Sequence, residues 1–396
     1  MTDILETTPR PAAVGAPSAL PTAPAGPRRL LSLDVFRGIT IASMVLVNNP
    51  GDWGHIYAPL EHAKWNGWTP TDLIFPFFVY IVGVAMTFSF GKLVERGASK
   101  PDLFFKVLKR AAIIFGLSLA IQGFPAYDFS HIRVMGVLQR IAVAYLAASM
   151  IYLNTRTWKA RAGWTAGLLL LYWALMLLVP VPGIGAGWLE PGKNLSAWID
   201  YHVLTPPHMW AESKTWDPEG LLSTIPAIAT CLLGVLTGEW LRAKRSAEEK
   251  VIGLFVAGTL GLALGLIWGG AFPINKSIWT SSYVVFTGGF AAVCLALCYW
   301  TVDVKGWRGW TKPFVVYGVN ALALYVLSAF VGRLIIFVIK VPTATGPVAL
   351  KTWLYTHLFA PFFSPINASL AWALAYVLVW LGAMWVLYRQ RIFIKV

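Results

Sequence analysis

Ten apolar stretches, each close to twenty residues long, recur through this chain. A run of that length crosses the hydrocarbon core of a bilayer as a helix. They lie near 31–49, 70–91, 107–124, 134–153, 163–181, 221–241, 251–270, 281–301, 313–337 and 365–388. Hydrocarbon offers no partner to a backbone N–H or C=O, so a spanning segment must satisfy its own hydrogen bonds, which leaves the helix as the architecture for these runs. The expected fold is all-α: a polytopic integral membrane protein of about ten transmembrane helices. Composition agrees, with 57% hydrophobic and only 13% charged residues, where soluble domains carry roughly 25% charged. Twenty Trp and fourteen Tyr suit aromatic belts at two interfaces.

Residues 1–29 differ. Pro9, Pro11, Pro17, Pro21, Pro24 and Pro27 are spread among Ala, Thr and Gly. Such a segment cannot bury enough surface to offset its ordering entropy, so a disordered tail is expected there, followed by one membrane domain over 30–396. Asp3 and Glu6, with no apolar core before Pro27, argue against a signal peptide.

A net charge of +14 invites a nucleic-acid reading, but topology accounts for it better. Sorted by the ten spans, 22 Lys and Arg fall on one side and seven on the other. The rich side is then cytoplasmic and holds both termini. The basic residues are dispersed over short loops rather than gathered on one face, so no nucleic-acid partner is expected. Cys231, Cys294 and Cys298 all fall inside spans and read as small apolar packing. No His, Cys or carboxylate spacing points to a metal.

The long outer segment, about 182–220, carries Trp188, Trp198, Trp210 and Trp216 with Glu190, Asp200, Glu212, Asp217 and Glu219. Indole faces and carboxylates together suit a sugar, the faces meeting C–H groups and the acids meeting hydroxyls or an ammonium. An interfacial belt with solvated acids explains the same residues. On the opposite side Lys106, Lys109 and Arg110 form a cationic helix face at i, i+3, i+4. It reads first as a surface anchor and second as a cradle for the phosphates of a nucleotide-bearing donor.

Between Leu33 and Phe78 polar groups sit on or beside apolar runs: Asp34, Arg37, Asn48, Asn49, His62, Asn66 and Asp72. An ionised group deep in a bilayer costs at least ~2.5–3.5 kcal/mol, so such groups usually mark function. His62 has the means to take a proton near neutral pH, although a hydrogen-bonded structural histidine fits the residues alone at least as well. Asp72 opens a span, where a carboxylate caps free N–H groups; it could equally orient His62. Asn48 could donate to a developing oxyanion, while Asn49 in Asn-Pro-Gly is turn chemistry. Arg37 has Asp34 nearby. Arg140, in GVLQRIAVAYL, has no acid close in sequence and needs a ligand anion or a distant carboxylate.

The pieces LDVFRGITIASMVLVNNPG, EHAKWNGWTPTDLIFPFFVYIVGVAM, GVLQRIAVAYL, DPEGLLSTIPAIATCLLG, FPINKSIWTSSYVVFTGG and PFVVYGVNALALYVLS resemble the heparan-α-glucosaminide N-acetyltransferase family and its bacterial relatives, within the transmembrane acyltransferase superfamily. The resemblance runs from about residue 30 to 330, and HAKWNGWTPTDLIFPFF is its most specific part. It implies transfer of acetyl from cytosolic acetyl-CoA to an amino sugar on the far side of a bacterial inner membrane. The family's active-site histidine corresponds to His62, its partner asparagine to Asn48, the aspartate before FPFF to Asp72 and the LQR arginine to Arg140. Animal members carry a luminal domain and a further span ahead of LDxFRG. Here the Pro/Ala-rich tail stands in that place, which turns the expectation from a long heparan end toward a smaller glycan or cell-wall fragment.

The reading that follows has catalytic His62, Asn48 and Asp72. Arg37, Arg140, Lys106, Lys109 and Arg110 hold acetyl-CoA, the acetyl donor; Trp65, Asn66, Asp217 and Glu219 hold the amino-sugar acceptor; no metal takes part. Direct transfer and an acetyl-imidazole route both fit. A transporter of sugars or cell-wall fragments and an O-acyltransferase of a polysaccharide or lipid hydroxyl remain as alternatives. Exposed apolar helix faces leave room for a homodimer in the lipid bilayer.

Overall fold

The computed structural model describes residues 30–95 and 97–394; the Pro/Ala-rich tail lies outside them. The helices are α1 (Leu31–Val47), α2 (Ile74–Glu95), α3 (Lys100–Gly123), α4 (Val137–Asn154), α5 (Trp158–Leu178), α6 (Leu195–Val203), α7 (Thr224–Arg242), α8 (Ala247–Gly269), α9 (Ser281–Cys298), α10 (Lys312–Val319), α11 (Ala321–Arg333), α12 (Leu350–Leu358) and α13 (Pro365–Arg389). Among the described residues the strand content is one two-residue hairpin, Lys340–Val341 against Val348–Ala349. The protein is an all-α polytopic membrane protein. Among the described residues eight helices are long and apolar enough to cross a bilayer. The first and third expected spans are helical too, but α1 has only 17 residues and α3 begins among the charges of Lys100–Arg110.

One span departs from expectation. The run 313–337 is largely apolar, yet it breaks at Asn320, whose φ of −120° and ψ of 29° end α10 before α11 begins. The reason is tertiary. Asn320 donates its amide to the Ile392 carbonyl (3.0 Å) and accepts from the Ile394 N–H (2.9 Å), gripping the chain beyond α13. A second departure lies in 182–220, which contains α6. Asn194 caps it by accepting from the Ala197 N–H at 2.9 Å.

Helices in lipid gain little from hydrophobic burial against each other and approach instead through small residues. The crossing of α1 and α10 is built that way. A Cβ on Gly38 would stand 1.8 Å from the Phe314 carbonyl oxygen, and one on Gly318 would stand 2.1 Å from that of Asp34. The buried cysteines Cys231 and Cys298, and the half-buried Cys294, carry free thiols packed among helices.

The loops expected on the outer side do gather at one end. The Trp65 indole donates to the Leu189 carbonyl (3.0 Å), Gly67 N–H to that of Ile274 (2.8 Å), and Asp52 N–H to the Ser369 hydroxyl (3.0 Å). The opposite end holds its own ties. Arg161 pairs with Glu239, Ser32 N–H donates to Asp303 (3.0 Å), and Arg242 donates to the Thr87 carbonyl (2.6 Å).

Candidate active site

The connection between α1 and α2 folds back so that His62 faces the start of the second span. Asp72 lies in the tight turn Pro70–Leu73 that leads into α2. Its carboxylate is nearly inaccessible, while the His62 side chain is 52% exposed, so the imidazole is the open member of the pair. His62 Nδ1 stands 2.7 Å from Asp72 Oδ1. The other oxygen, Oδ2, accepts from the N–H groups of Ala63 (3.0 Å) and Thr69 (3.0 Å) and from the Thr69 hydroxyl (3.2 Å). Capping and orienting are therefore one arrangement, because the bonds that satisfy the turn also lock the carboxylate. The Tyr283 hydroxyl, from α9, donates to the Asp72 carbonyl at 2.5 Å and fixes the turn from behind.

An ionised Asp72 accepts only, so Nδ1 carries the ring proton and Nε2 presents a lone pair. Sequence reasoning overlooked what stands beside that ring. Lys276, in the connection from α8 to α9, places Nζ 3.2 Å from both His62 nitrogens and 3.9 Å from Asp72 Oδ1. Burial pushes the Lys276 ammonium below the usual lysine range, against the pull of the Glu219 and Asp72 carboxylates. Its neighbour Asn275 is fully buried, accepts from the Ile278 N–H (3.1 Å) and donates to the Asn66 side-chain carbonyl (3.1 Å). Asn66 thus ties the His62 loop to the Lys276 loop.

Asp217 and Glu219 share Arg133, the second residue overlooked. Arg133 meets Asp217 through two bonds, 2.9 and 2.5 Å, and Glu219 at 2.5 Å. Burial works against the Arg133 charge, yet the two carboxylates hold its pKa above the usual value. Burial likewise opposes ionisation of Glu219, and Arg133 with Arg140 outweighs it, so its pKa is lowered. Asp217 also accepts from Trp210 N–H and Glu219 N–H, both at 2.9 Å, and so serves as a clamp within its own loop. The Trp65 ring stands edge-on to Trp216 at 5.0 Å between centroids, and Trp216 to Trp210 at 5.7 Å. These rings wall the same end of the molecule.

Arg140 is fully buried. It donates to the Gly220 carbonyl (3.1 Å) and the Ser223 hydroxyl (2.5 Å) and lies 5.0 Å over the Trp279 ring. Its Nε and Nη1 have no hydrogen-bond partner. The charges of Glu219, Asp217 and Asp200 reach it. It therefore braces the Asp217–Glu219 segment from below.

A separate cavity of 730 Å³ opens between α1, α2, α3, α4 and the α10–α11 break, with Arg37 and Arg110 in otherwise largely apolar walls. Arg37 is held by Asp34 (3.1 Å) and the Gly318 carbonyl (3.4 Å). Lys106 and Lys109 are exposed on α3 outside those walls. Met44 and Tyr325 line this cavity and also a smaller one of 180 Å³, which Asn48, Asn49 and Arg333 complete. Asn48 thus ends α1 beside the smaller chamber and makes no hydrogen bond to His62 among the described contacts. Tyr325 lies within electrostatic reach of Glu219, Arg133 and Arg333, which brings the shared wall near the Arg133–Glu219 pair. Among the described residues no group of three or more His, Cys, Asp or Glu is gathered as for a metal ion.

Comparison with known proteins adds kinship to this geometry. The family model described as heparan-alpha-glucosaminide N-acetyltransferase, catalytic, matches residues 29–261. The Homo sapiens heparan-alpha-glucosaminide N-acetyltransferase is 31% identical over 354 residues, covering 76% of this chain and 52% of its own length. The Mus musculus protein of the same name is 30% identical over 352 residues, covering 75% and 53%. The chain spans about half the length of the curated relatives it matches. With the matched region containing His62, Asp72, Asp217 and Glu219, the chain belongs to the heparan-alpha-glucosaminide N-acetyltransferase family.

Proposed function

We propose that this protein is a transmembrane acetyltransferase that takes acetyl-CoA from the basic, cytoplasmic end and acetylates the amine of an amino sugar at the opposite face. The observation that carries the reading is the Asp72-held imidazole: Nδ1 is committed at 2.7 Å, and Nε2 is left to accept a proton. His62 takes that proton as the amine attacks the thioester carbonyl, and the CoA thiolate leaves. Such base catalysis contributes roughly 10²–10⁴-fold.

The donor fits the 730 Å³ cavity. Its apolar walls suit the pantetheine arm, while Arg37 and Arg110 meet anionic groups and the exposed Lys106 and Lys109 attract phosphates from solution. The acetyl end passes Met44 and Tyr325 into the chamber beside Asn48, whose amide suits an oxyanion. On the acceptor side Glu219 and Asn66 meet the ammonium and hydroxyls, and Trp65 offers an aromatic face. Arg140 and Asp217 act through the loop they hold. The excess of Lys and Arg at the donor end supports a cytoplasmic placement of both termini, as in a bacterial inner membrane.

The test uses purified protein, acetyl-CoA and glucosamine, reading thiol release and the N-acetyl product. His62→Ala is expected to lower the rate by roughly 10²–10⁴-fold. An undiminished rate overturns the assignment. Uptake of labelled glucosamine into proteoliposomes without acetyl-CoA, with no thiol release when it is added, points to transport instead.

A further inference from the structure

The proposed reaction needs an amine at hydrogen-bond distance from the His62 imidazole, and the protein already has one there. Lys276 Nζ lies 3.2 Å from Nε2 and 3.2 Å from Nδ1. Its side chain is only 18% exposed, so few waters compete for that position. The backbone around it is fixed. Lys276 accepts from the Trp279 N–H at 3.1 Å, and the Thr280 hydroxyl accepts from the Asn275 N–H at 3.0 Å. Glu219, the carboxylate that would meet a sugar ammonium, and Asp72, which holds the imidazole, are also the acids that act on Lys276. A primary amine, a base beside it and two acids around it reproduce the setting of the acceptor nitrogen.

We propose that Lys276 is an internal acetyl acceptor, which becomes Nε-acetylated at His62 when the donor is bound and the sugar is absent. The inference rests on the acetyl-transfer reading above. The step balances without any further reagent. The Nζ lone pair of the neutral amine forms a C–N bond to the acetyl carbon. The C–S bond breaks and its electron pair goes to sulfur. His62 Nε2 takes one proton from nitrogen and passes it to the thiolate, giving the amide and the free thiol. Burial, which favours the neutral amine, supports the step. The product carries no charge beside Asp72 and occupies the place of the acceptor amine, so acetylation of Lys276 switches the enzyme off and the sugar protects it.

The experiment incubates the full chain with acetyl-CoA bearing a deuterated acetyl group, digests it and follows each lysine by mass spectrometry. Lys276 is expected to gain the label faster than the exposed Lys193 and Lys340, to keep it through hydroxylamine treatment that strips acetyl-imidazole, and to stay bare with saturating glucosamine. His62→Ala is expected to slow Lys276 labelling by roughly 10²–10⁴-fold while leaving Lys193 and Lys340 unchanged; glucosamine protection in the unaltered protein tests the same point without a variant. Acetylation of glucosamine with Lys276 bare when the sugar is withheld overturns the inference alone. So does labelling of Lys276 no faster than Lys193. Absence of both products overturns the acetyl-transfer reading itself.

Discussion

Replacing Asp72 by Asn separates the two duties of this carboxylate, because an amide has one acceptor oxygen where the acid has two. Oδ2 satisfies Ala63 N–H, Thr69 N–H and the Thr69 hydroxyl, while Oδ1 faces His62 Nδ1 at 2.7 Å and Lys276 at 3.9 Å. If Asn keeps its oxygen toward Ala63 and Thr69, the turn into α2 survives and the amide NH₂ points at Nδ1. If it flips, NH₂ meets two backbone N–H groups, which leaves more donors unpaired. The first orientation therefore wins. The imidazole must then carry its proton on Nε2, and the lone pair meant for the acceptor is gone. Loss of a hydrogen bond to a charged group costs about 1.5–3 kcal/mol. Loss of the anion opposite Lys276 costs at most about 4 kcal/mol at an effective dielectric near 20, and less because Lys276 can release its proton. Stability therefore falls modestly, whereas the same exchange in Ser-His-Asp triads costs about 10⁴-fold in rate through the wrong tautomer. The expected result for Asp72→Asn is a monodisperse protein with kcat lowered about 10⁴-fold and KM for glucosamine little changed, measured by thiol release. Retention of more than a tenth of kcat would mean a barrier change below about 1.4 kcal/mol, too small for a lost base, and would refute the role given to the His62–Asp72 pair.

Two further outcomes follow from the same structure. Asp200 is buried on α6, with Oδ1 accepting from Leu221 N–H at 2.8 Å and Oδ2 unpartnered, and burial lifts its carboxyl from 3.8 to about 7. A raised acid keeps its proton in the fold where the unfolded chain has lost it, so its contribution falls by a few kcal/mol as pH climbs from about 4 to about 7 and is level above; Asp200→Asn should melt higher than the unaltered protein at pH 8 and not at pH 4, and an equal difference at both overturns the assignment. Gly318→Val puts a Cβ 2.1 Å from the Asp34 carbonyl oxygen, which forces α1 and α10 apart at a cost of about 1–3 kcal/mol or more and loosens Arg37; melting temperature and acetyl-CoA affinity should both fall, while Gly309→Val, which meets nothing within 4 Å, should change neither.

The helices were legible because hydrocarbon imposes one requirement on every span and the requirement has a length. Apolar runs of about twenty residues state it plainly, and each of the ten expected spans holds helix. The break at Asn320 was not legible. VVYGVNALALYVLS is apolar on both sides of the asparagine, and what ends α10 is a pair of bonds to Ile392 and Ile394, seventy-odd residues away. Polar residues inside spans announce that a partner exists without naming it. Arg140 illustrates this. Sequence demanded an anion, and the chain supplies a carbonyl, a hydroxyl and an indole face, with Glu219, Asp217 and Asp200 acting through space.

The same logic explains which half of the candidate site could be read. His62 and Asp72 are ten residues apart in one connection, so local reasoning could pair them, and the geometry does so at 2.7 Å. Lys276 lies 214 residues from His62, and Arg133 lies 84 from Asp217. In sequence both count only toward the charge of the outer loops, since a lysine or arginine in an outer loop looks like any other until the loop has a neighbour. Tyr325 carried no signal at all, being one aromatic residue in an apolar span. Yet it stands in the wall common to the two cavities and within reach of Glu219, Arg133 and Arg333. On the proposed reading a donor and an acceptor meet across a bilayer, and such a shared wall serves that more than any one motif. On that reading the motif points to the atom that takes the proton, while the packing of α1 against α10 and α11 shapes where the two substrates would meet.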